Sequence, residues 1–182
     1  MIRRAAIALL AAAACPAVWS LAPPAALSAA LPGARLQGSG RMRVFGLQVY
    51  DIRLWAGATE VTATDWARVP LALEIEYARA LDGRKIAERS LAEMRRQAEI
   101  DAATGERWLA EMSTLFPDVH AGDRLAGVQH PGEGASFFFN ERPRGEVRDA
   151  EFARLFFGIW LSRRTSEPAL REALLGPAPR AR

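Results

Sequence analysis

Apolar and polar residues alternate along several segments of the chain, and a period of two is typical of β-strands. Residues 35–55 predict two strands around Gly46, and the apolar positions slip by one after the glycine, as a bulge or bend would produce. Residues 71–77 alternate most regularly and predict a strand with one exposed face. Two further runs, 123–130 and 135–140, predict a hairpin. Together these segments predict an antiparallel sheet.

Other segments place apolar residues three or four positions apart, which is the spacing of an amphipathic helix. Helices are predicted at about 84–99, 106–115, 149–161 and 167–175. The third is apolar on nearly every side, so other elements must cover it. Strands, two helices, more strands and two more helices are typical of the α+β class. We expect one large antiparallel sheet with a layer of helices on a face.

The start of the chain has the features of a secretory signal peptide. Arg3 and Arg4 precede an apolar run, and a stretch of small residues follows. Prolines interrupt the apolar region short of the roughly 20 residues that a membrane span needs. We predict a signal peptide over 1–30, a domain over 31–176 and a flexible tail over 177–182. Cleavage near Ala29 or Ala30 would deliver the domain to the periplasm without a membrane span.

Composition narrows the function classes. Without the first thirty residues the formal charge falls from +3 to +1, so the domain has no field that would attract nucleic acid. The same cleavage removes Cys15, the one cysteine, which excludes disulfides, thiol catalysis and cysteine-based metal sites. A lipoprotein acylated at Cys15 is the alternative, although Ala12 stands where a larger aliphatic residue is usual and Pro16 follows the cysteine.

The sequence lacks the motifs of common catalytic or cofactor chemistry. The two histidines, His120 and His130, do not have the spacing of a metal site. No serine lies in a G-x-S-x-G motif. Gly38-Ser39-Gly40 precedes a strand, whereas the glycines of a dinucleotide site precede a helix. We therefore expect neither a metal nor a cofactor, and the sequence leaves the oligomeric state open.

Two arginines are the most unusual candidates for binding. Arg41 and Arg43 share a strand face with Phe45, and the apolar helix predicted at 149–161 would pack nearby. A guanidinium beside apolar walls suits an amphiphile with a carboxylate head. The alternative is that these arginines lie at a sheet edge and pair with a glutamate of the 71–77 strand.

Six short segments recur in a fixed order with compatible spacing, and together they cover most of the predicted domain. The segments are 38–55, 88–94, 116–119, 122–125, 156–161 and 165–176. In these segments the chain resembles the bacterial chalcone isomerase-like family. The resemblance implies an open-faced β-sandwich, in which a large antiparallel sheet carries a layer of helices and a ligand cleft lies between them. The layout predicted from periodicity agrees.

The resemblance also implies which positions form the cleft. Plant chalcone isomerases use a strand arginine, a threonine and a tyrosine that order water at the ketone, and an asparagine and a second threonine on the other wall. By alignment the first threonine falls on Phe45, the tyrosine on Ile86, the asparagine on Glu93 and the second threonine near Gly158. Loss of each oxyanion donor costs about 3 to 4 kcal/mol, so we expect the isomerase chemistry to be absent.

The arginine alone is retained, as Arg41 or Arg43, in a cleft that we expect to have lost its hydroxyls. This pattern is similar to the fatty-acid-binding proteins of the same fold, which hold a carboxylate with the arginine. We therefore expect a non-catalytic protein that binds a fatty acid or another apolar anion. An ionised Glu93 in the cleft would repel a carboxylate unless it pairs with Arg89.

Two alternatives stay open. One is an isomerase, an intramolecular lyase, that acts on an enone-type substrate with Glu93 or Tyr50 as acid or base. The other is a structural or accessory protein whose cleft is filled by side chains.

Overall fold

Six strands in chain order form one antiparallel sheet in the computed structural model, which describes residues 21–176. The strands are β1 (Arg35–Val44), β2 (Leu47–Ala56), β3 (Leu71–Tyr77), β4 (Arg124–His130), β5 (Gly134–Phe139) and β6 (Arg142–Val147). The helices are α1 (Ala25–Ala30), α2 (Gly83–Arg95), α3 (Ala102–Leu115), α4 (Ala150–Leu161) and α5 (Pro168–Leu175). The predicted α+β class and antiparallel sheet are confirmed.

Capping residues set where the helices begin. Asp82 accepts a hydrogen bond from the backbone N of Lys85, and Asp101 accepts one from Thr104, so α3 starts earlier than the predicted residue 106. Asp149 accepts from the backbone N atoms of Glu151 and Phe152, as expected for the cap of α4. Nine of the twelve residues of α4 are buried, which agrees with its prediction as a covered helix.

The main core lies between the inner face of the sheet and the helices α2 to α5. On the sheet side it contains Ile52, Leu54 and Leu73, and on the helix side Phe152 and Phe157. The helices therefore form one layer on one face, and the space between the two layers is where a cleft would open.

The outer face of the sheet is covered as well. Helix α1 places Leu27 in a second apolar cluster with Trp55, Ala72 and Val128. Strand β3 is consequently buried on both faces, and the expectation of one exposed face is wrong. Glu74 on that outer face is only 3 % exposed, and it accepts a hydrogen bond from Trp55 Nε1 at 3.1 Å. Glu74 is thus a buried and hydrogen-bonded group, although its side chain points to the outer face of the sheet.

Helix α1 falls within the stretch predicted as a signal peptide, and the boundary at residue 30 stays a prediction. The basic residues of that stretch, Cys15 and the tail over 177–182 lie outside the described residues. Within residues 21–176 no helix is long and apolar enough to cross a membrane.

Candidate functional site

A cavity of about 440 Å³ lies between one end of the sheet and the helix layer. Its walls are mostly apolar, and the cavity is open. Met42, Tyr50 and Tyr77 are consecutive cross-strand partners in β1, β2 and β3, so their side chains point to the same face of the sheet. All three line the cavity. The opposite wall is formed by α2 and α4, which contribute Ile86, Phe156, Ile159 and Trp160 among others.

Two phenols stand in this apolar wall, and they are the only tyrosines in the sequence. The rings of Tyr50 and Tyr77 meet edge to face with centroids 6.3 Å apart. Trp160 Nε1 donates a hydrogen bond to Tyr50 Oη at 2.9 Å, so the phenol proton of Tyr50 is left to donate elsewhere. Burial raises the pKa of Tyr50 to about 12 and also raises the pKa of Tyr77. At neutral pH both are uncharged hydrogen-bond donors and not bases.

The polar lining of the cavity comes mostly from α2 and its capping residue Asp82, and Ser166 and Glu167 just before α5 add to it. Lys85, Arg89, Ser90 and Glu93 line it at helical spacing, and Ser90 Oγ donates to the backbone oxygen of Ile86. Glu93 is buried, with its carboxylate 2.6 Å from Arg89 Nη2 and 3.4 Å from Arg96 Nε. Because two guanidinium groups neutralise this carboxylate, it does not present a free negative charge to the cavity.

Arg41 does not line the cavity, and the expectation that it holds a ligand there is wrong. Its guanidinium forms a two-pronged ion pair with Asp51, with Nε to Oδ1 at 2.6 Å and Nη2 to Oδ2 at 3.0 Å. This hydrogen bonding lowers the pKa of Asp51. The predicted alternative, an ion pair across strands, is therefore correct in kind, although the partner is Asp51 of β2 and not a glutamate of β3.

Arg43 also points away from the cavity. Its two neighbours, Met42 and Val44, line the cavity, whereas the side chain of Arg43 is exposed. Since adjacent strand residues face opposite sides, the predicted face with the arginines is the outer one. The prediction correctly put Arg41 and Arg43 on one face of the strand, but that face is not the one that lines the cavity.

Phe45 and Gly158 are misplaced too. Phe45 lies in the two-residue turn of the β1–β2 hairpin and is 100 % exposed. The alignment counted five residues back from Tyr50 and ran past the short turn, so the position it took for a strand threonine is outside the strand. Gly158 faces Gln97 and Trp66, and a Cβ there would lie 2.0 Å from Gln97 Oε1. Only Ile86 and Glu93 of the predicted site line the cavity.

Several lining residues were missed, above all Tyr77 and the cations Lys85 and Arg89. The expectation of a cleft without hydroxyls is wrong, because Tyr50 and Tyr77 supply two. The sequence did carry a signal for the pair, since both tyrosines continue the apolar face of their strands. Among residues 21–176 no group of acidic, histidine or cysteine side chains could hold a metal ion.

With this geometry the comparisons with known proteins are informative. A family model described as chalcone isomerase-like matches residues 22–176. The chain belongs to the chalcone isomerase-like family. No curated protein sequence matches it.

Among solved structures, this chalcone isomerase-like chain is similar to the crystal structure of an Arabidopsis thaliana fatty-acid binding protein. The two share 14 % sequence identity and a TM-score of 0.61, and the match covers 79 % of this chain and 87 % of the plant protein. At this identity the likeness establishes the fold. It agrees with the six-stranded antiparallel sheet and the layer of helices α2 to α5 on its inner face described above.

Proposed function

We propose that this protein is a non-catalytic, exported binding protein for an apolar small molecule with an oxygen-bearing head, such as a fatty acid. The observation that carries the proposal is the open cavity of about 440 Å³ between the sheet and the helix layer. Ligand pockets typically have about 300 to 1,000 Å³ and mostly apolar walls. A structural or accessory protein with a filled cleft does not fit this geometry. The fatty-acid binding of the Arabidopsis neighbour supports the same ligand class.

The tail of the ligand would lie against the apolar wall. Ile75 and Leu125 of the sheet and Phe156 of α4 line the cavity with apolar side chains. Burial of each methylene group of a ligand contributes about 0.8 kcal/mol, so an alkyl chain supplies most of the affinity. This apolar part of the lining has no polar groups that would select a tail of one particular structure.

The head of the ligand would lie between the two phenols and α2. Tyr50 on the sheet wall has a phenol proton to donate, and Lys85 and Arg89 carry positive charge on the opposite wall formed by α2. Arg89 already forms an ion pair with Glu93, but Lys85 has no ion-pair partner within residues 21–176. A carboxylate would therefore be held by Lys85 and the phenols, and not by Arg41 or Arg43.

Direct binding of decanoic to octadecanoic acids tests the proposal, by native mass spectrometry and isothermal titration calorimetry. Ile86→Trp fills the cavity and should abolish binding, whereas Arg41→Ala on the outer face should bind as the original protein does. Val49→Trp, which fills the cavity from β2, repeats the test if Ile86→Trp does not fold. Equal binding by the filled variants would contradict the site. Equal binding of an acid and its matched alcohol would contradict the role of Lys85.

The second candidate is an isomerase, and the pair of phenols favours it. A neutral tyrosine donor can polarise the carbonyl of an enone, and Tyr50 has a proton to donate. Incubation with chalcone and with smaller enones distinguishes the two functions. Turnover that is lost on Tyr50→Phe would establish the isomerase, and absence of turnover in a protein that binds fatty acids would support the binding protein.

A further inference from the structure

The tip of the β1–β2 hairpin exposes a patch of large apolar side chains. Val44 is 42 % exposed, Phe45 is 100 % exposed and Leu47 is 61 % exposed. Only Gly46 separates Phe45 from Leu47, so the four residues from 44 to 47 form one continuous projection, which we call the hairpin tip. Isolated exposed apolar residues are ordinary, but a cluster of three at the end of a hairpin marks an interaction site.

The backbone of the hairpin tip adds to this argument. Phe45 has a φ of 49° and Gly46 has a φ of 80°, the pattern of a two-residue turn in which Asn-Gly is strongly preferred. A bulky aromatic residue is strained in the left-handed region. Phe45 therefore gains nothing in the free protein from either its conformation or its exposed ring. The exposed ring contributes favourable free energy only when an apolar partner buries it.

The hairpin tip is continuous with the mouth of the cavity. Val44 belongs to both, and Met42 and Val49 on either side of the tip line the cavity. An apolar path thus runs from the fully exposed ring of Phe45 into the interior. A surface that covers the tip would also face the opening of the cavity.

Three basic residues lie beside the hairpin tip or line the cavity behind it. Arg43 lies opposite Gln48 in the strand register at the base of the turn. Arg79 lies beside the same hairpin, because the backbone N of its neighbour Ala78 donates to Val49 O. Lys85 lines the same cavity as Val44. Within residues 21–176 none of these three cations has an ion-pair partner, whereas the nearest acid of the hairpin, Asp51, is paired with Arg41. Asp82 and Glu167 line the cavity together with Lys85, so the positive charge at the tip itself comes from Arg43 and Arg79. An apolar point flanked by these arginines is complementary to a bilayer with an anionic surface.

We propose that the hairpin tip inserts into the surface of an anionic phospholipid bilayer. Phe45, Val44 and Leu47 enter the acyl region, Arg43 and Arg79 contact the phosphate groups, and the cavity opens toward the lipid. The passage of a ligand between bilayer and cavity rests on the proposed function, but the docking itself depends only on the tip. Two features favour a bilayer over a protein partner here: arginines without an ion-pair partner in residues 21–176 flank the apolar point, and the cavity behind it is mostly apolar.

Vesicle flotation tests the docking, with vesicles of equal parts phosphatidylglycerol and phosphatidylcholine and with vesicles of phosphatidylcholine alone. The protein should bind the anionic vesicles, and binding should fall as salt is raised. Phe45→Asn should weaken it at least about tenfold, the equivalent of one buried aromatic ring. Asparagine tolerates the left-handed conformation, so this variant should fold with an unchanged or higher Tm.

Charge-matched variants separate the contribution of Arg43 at the hairpin tip from the effect of net charge. Arg43→Gln should weaken vesicle binding about fivefold, whereas Arg142→Gln, an exposed arginine on the distant β6 edge, should not change it. The proposal is overturned if the original protein does not float with anionic vesicles, or if Phe45→Asn floats equally well. Self-association in sedimentation velocity that is lost on Phe45→Asn, without vesicle binding, would assign the tip to a second copy instead.

The docking and the proposed function fail separately in these assays. Ile86→Trp fills the cavity and should still float with vesicles, because Ile86 is not part of the hairpin tip. Phe45→Asn should still bind soluble fatty acids, because Phe45 does not line the cavity. Loss of fatty-acid binding in the original protein, with flotation intact, would therefore refute the ligand and leave the docking standing.

Discussion

Tyr50 and Tyr77 place two phenols where water has little access, and their titration reports on the cavity directly. Tyrosine in an unfolded chain ionises at about pH 10, but burial raises the pKa of Tyr50 to about 12 and raises the pKa of Tyr77 as well. The folded protein keeps its phenol protons at a pH at which the unfolded chain loses them. The stability from these groups is therefore complete below about pH 10 and is lost as the pH rises toward about 12.

Ultraviolet difference absorbance of tyrosinate checks this expectation, because the chain contains no other tyrosine. A pH of about 10.5 lies roughly half a unit above the pKa of tyrosine in an unfolded chain. At this pH the native protein should show almost no tyrosinate, whereas the tyrosines of the protein in denaturant should be mostly ionised. Tyr50→Phe should halve the final amplitude. A native transition centred at about pH 10 would show that the phenols are exposed to solvent and that the cavity wall is wrongly placed.

At the scale of single residues, periodicity predicts which side chains share a face but not which face lies inside. Arg41 and Arg43 were correctly separated from Met42 and Val44, yet the arginines were assigned to the cleft. Which face of β1 lies inside is determined by the elements that pack on the sheet. The inner face of β1 meets the cavity, and its outer face carries the ion pair between Arg41 and Asp51. Of the positions that the resemblance implied, Ile86 lines the cavity, whereas Phe45 lies in the hairpin turn.

At the scale of elements, the close approach of α5 to β1 depends on two glycines. A Cβ at Gly38 would lie 2.2 Å from the backbone oxygen of Leu174, and a Cβ at Gly40 would lie 2.3 Å from Leu170 Cδ1. Backbone atoms cannot move aside without a shift of the whole helix, but the end of a leucine side chain can rotate. The two sites therefore provide a matched pair.

We expect Gly38→Ala to destabilise the protein by about 3 kcal/mol and Gly40→Ala by about 1 kcal/mol, within the range for overpacked sites. Urea unfolding monitored by circular dichroism measures both. The order of the two variants is the critical result. Equal stabilities, or a more stable Gly38→Ala, would mean that α5 does not rest on the strand backbone.

The elements themselves were predictable to the extent that local chemistry specifies them. Helix α4 has an aspartate cap and a continuous apolar pattern, and α5 has a proline in its first turn, so both appear close to their predicted bounds. Strand β6 was missed because Pro143 and Gly145 interrupt it and most of its side chains are exposed. It exists because β5 offers it a partner at the sheet edge, which is a tertiary effect that local sequence does not contain.

At the scale of the whole molecule, α1 closes the face of the sheet opposite the cavity. Its six residues are mostly small, which is also the composition of a signal-peptide end, so the sequence alone favoured removal of this segment. Yet Leu27 is 1 % exposed and packs with Trp55, which is 0 % exposed. The buried Glu74 hydrogen bonded to Trp55 lies under the same cover. Under the proposed export, we infer from this packing that cleavage falls before residue 25, so that the mature chain would keep α1.

We expect a chain that begins at residue 31 to be less stable than one that begins at residue 23 by about 2 to 3 kcal/mol, the free energy of burying one leucine side chain. Thermal and urea unfolding of the two purified chains measure the difference, and Leu27→Ala in the longer chain should account for most of it, since the truncation and the substitution both uncover Trp55. Mass spectrometry of the protein exported from bacteria should then give a mature chain that contains Leu27. Equal stability of the two chains, together with a mature N-terminus at Leu31, would show that α1 is dispensable and that the boundary predicted from the sequence is correct.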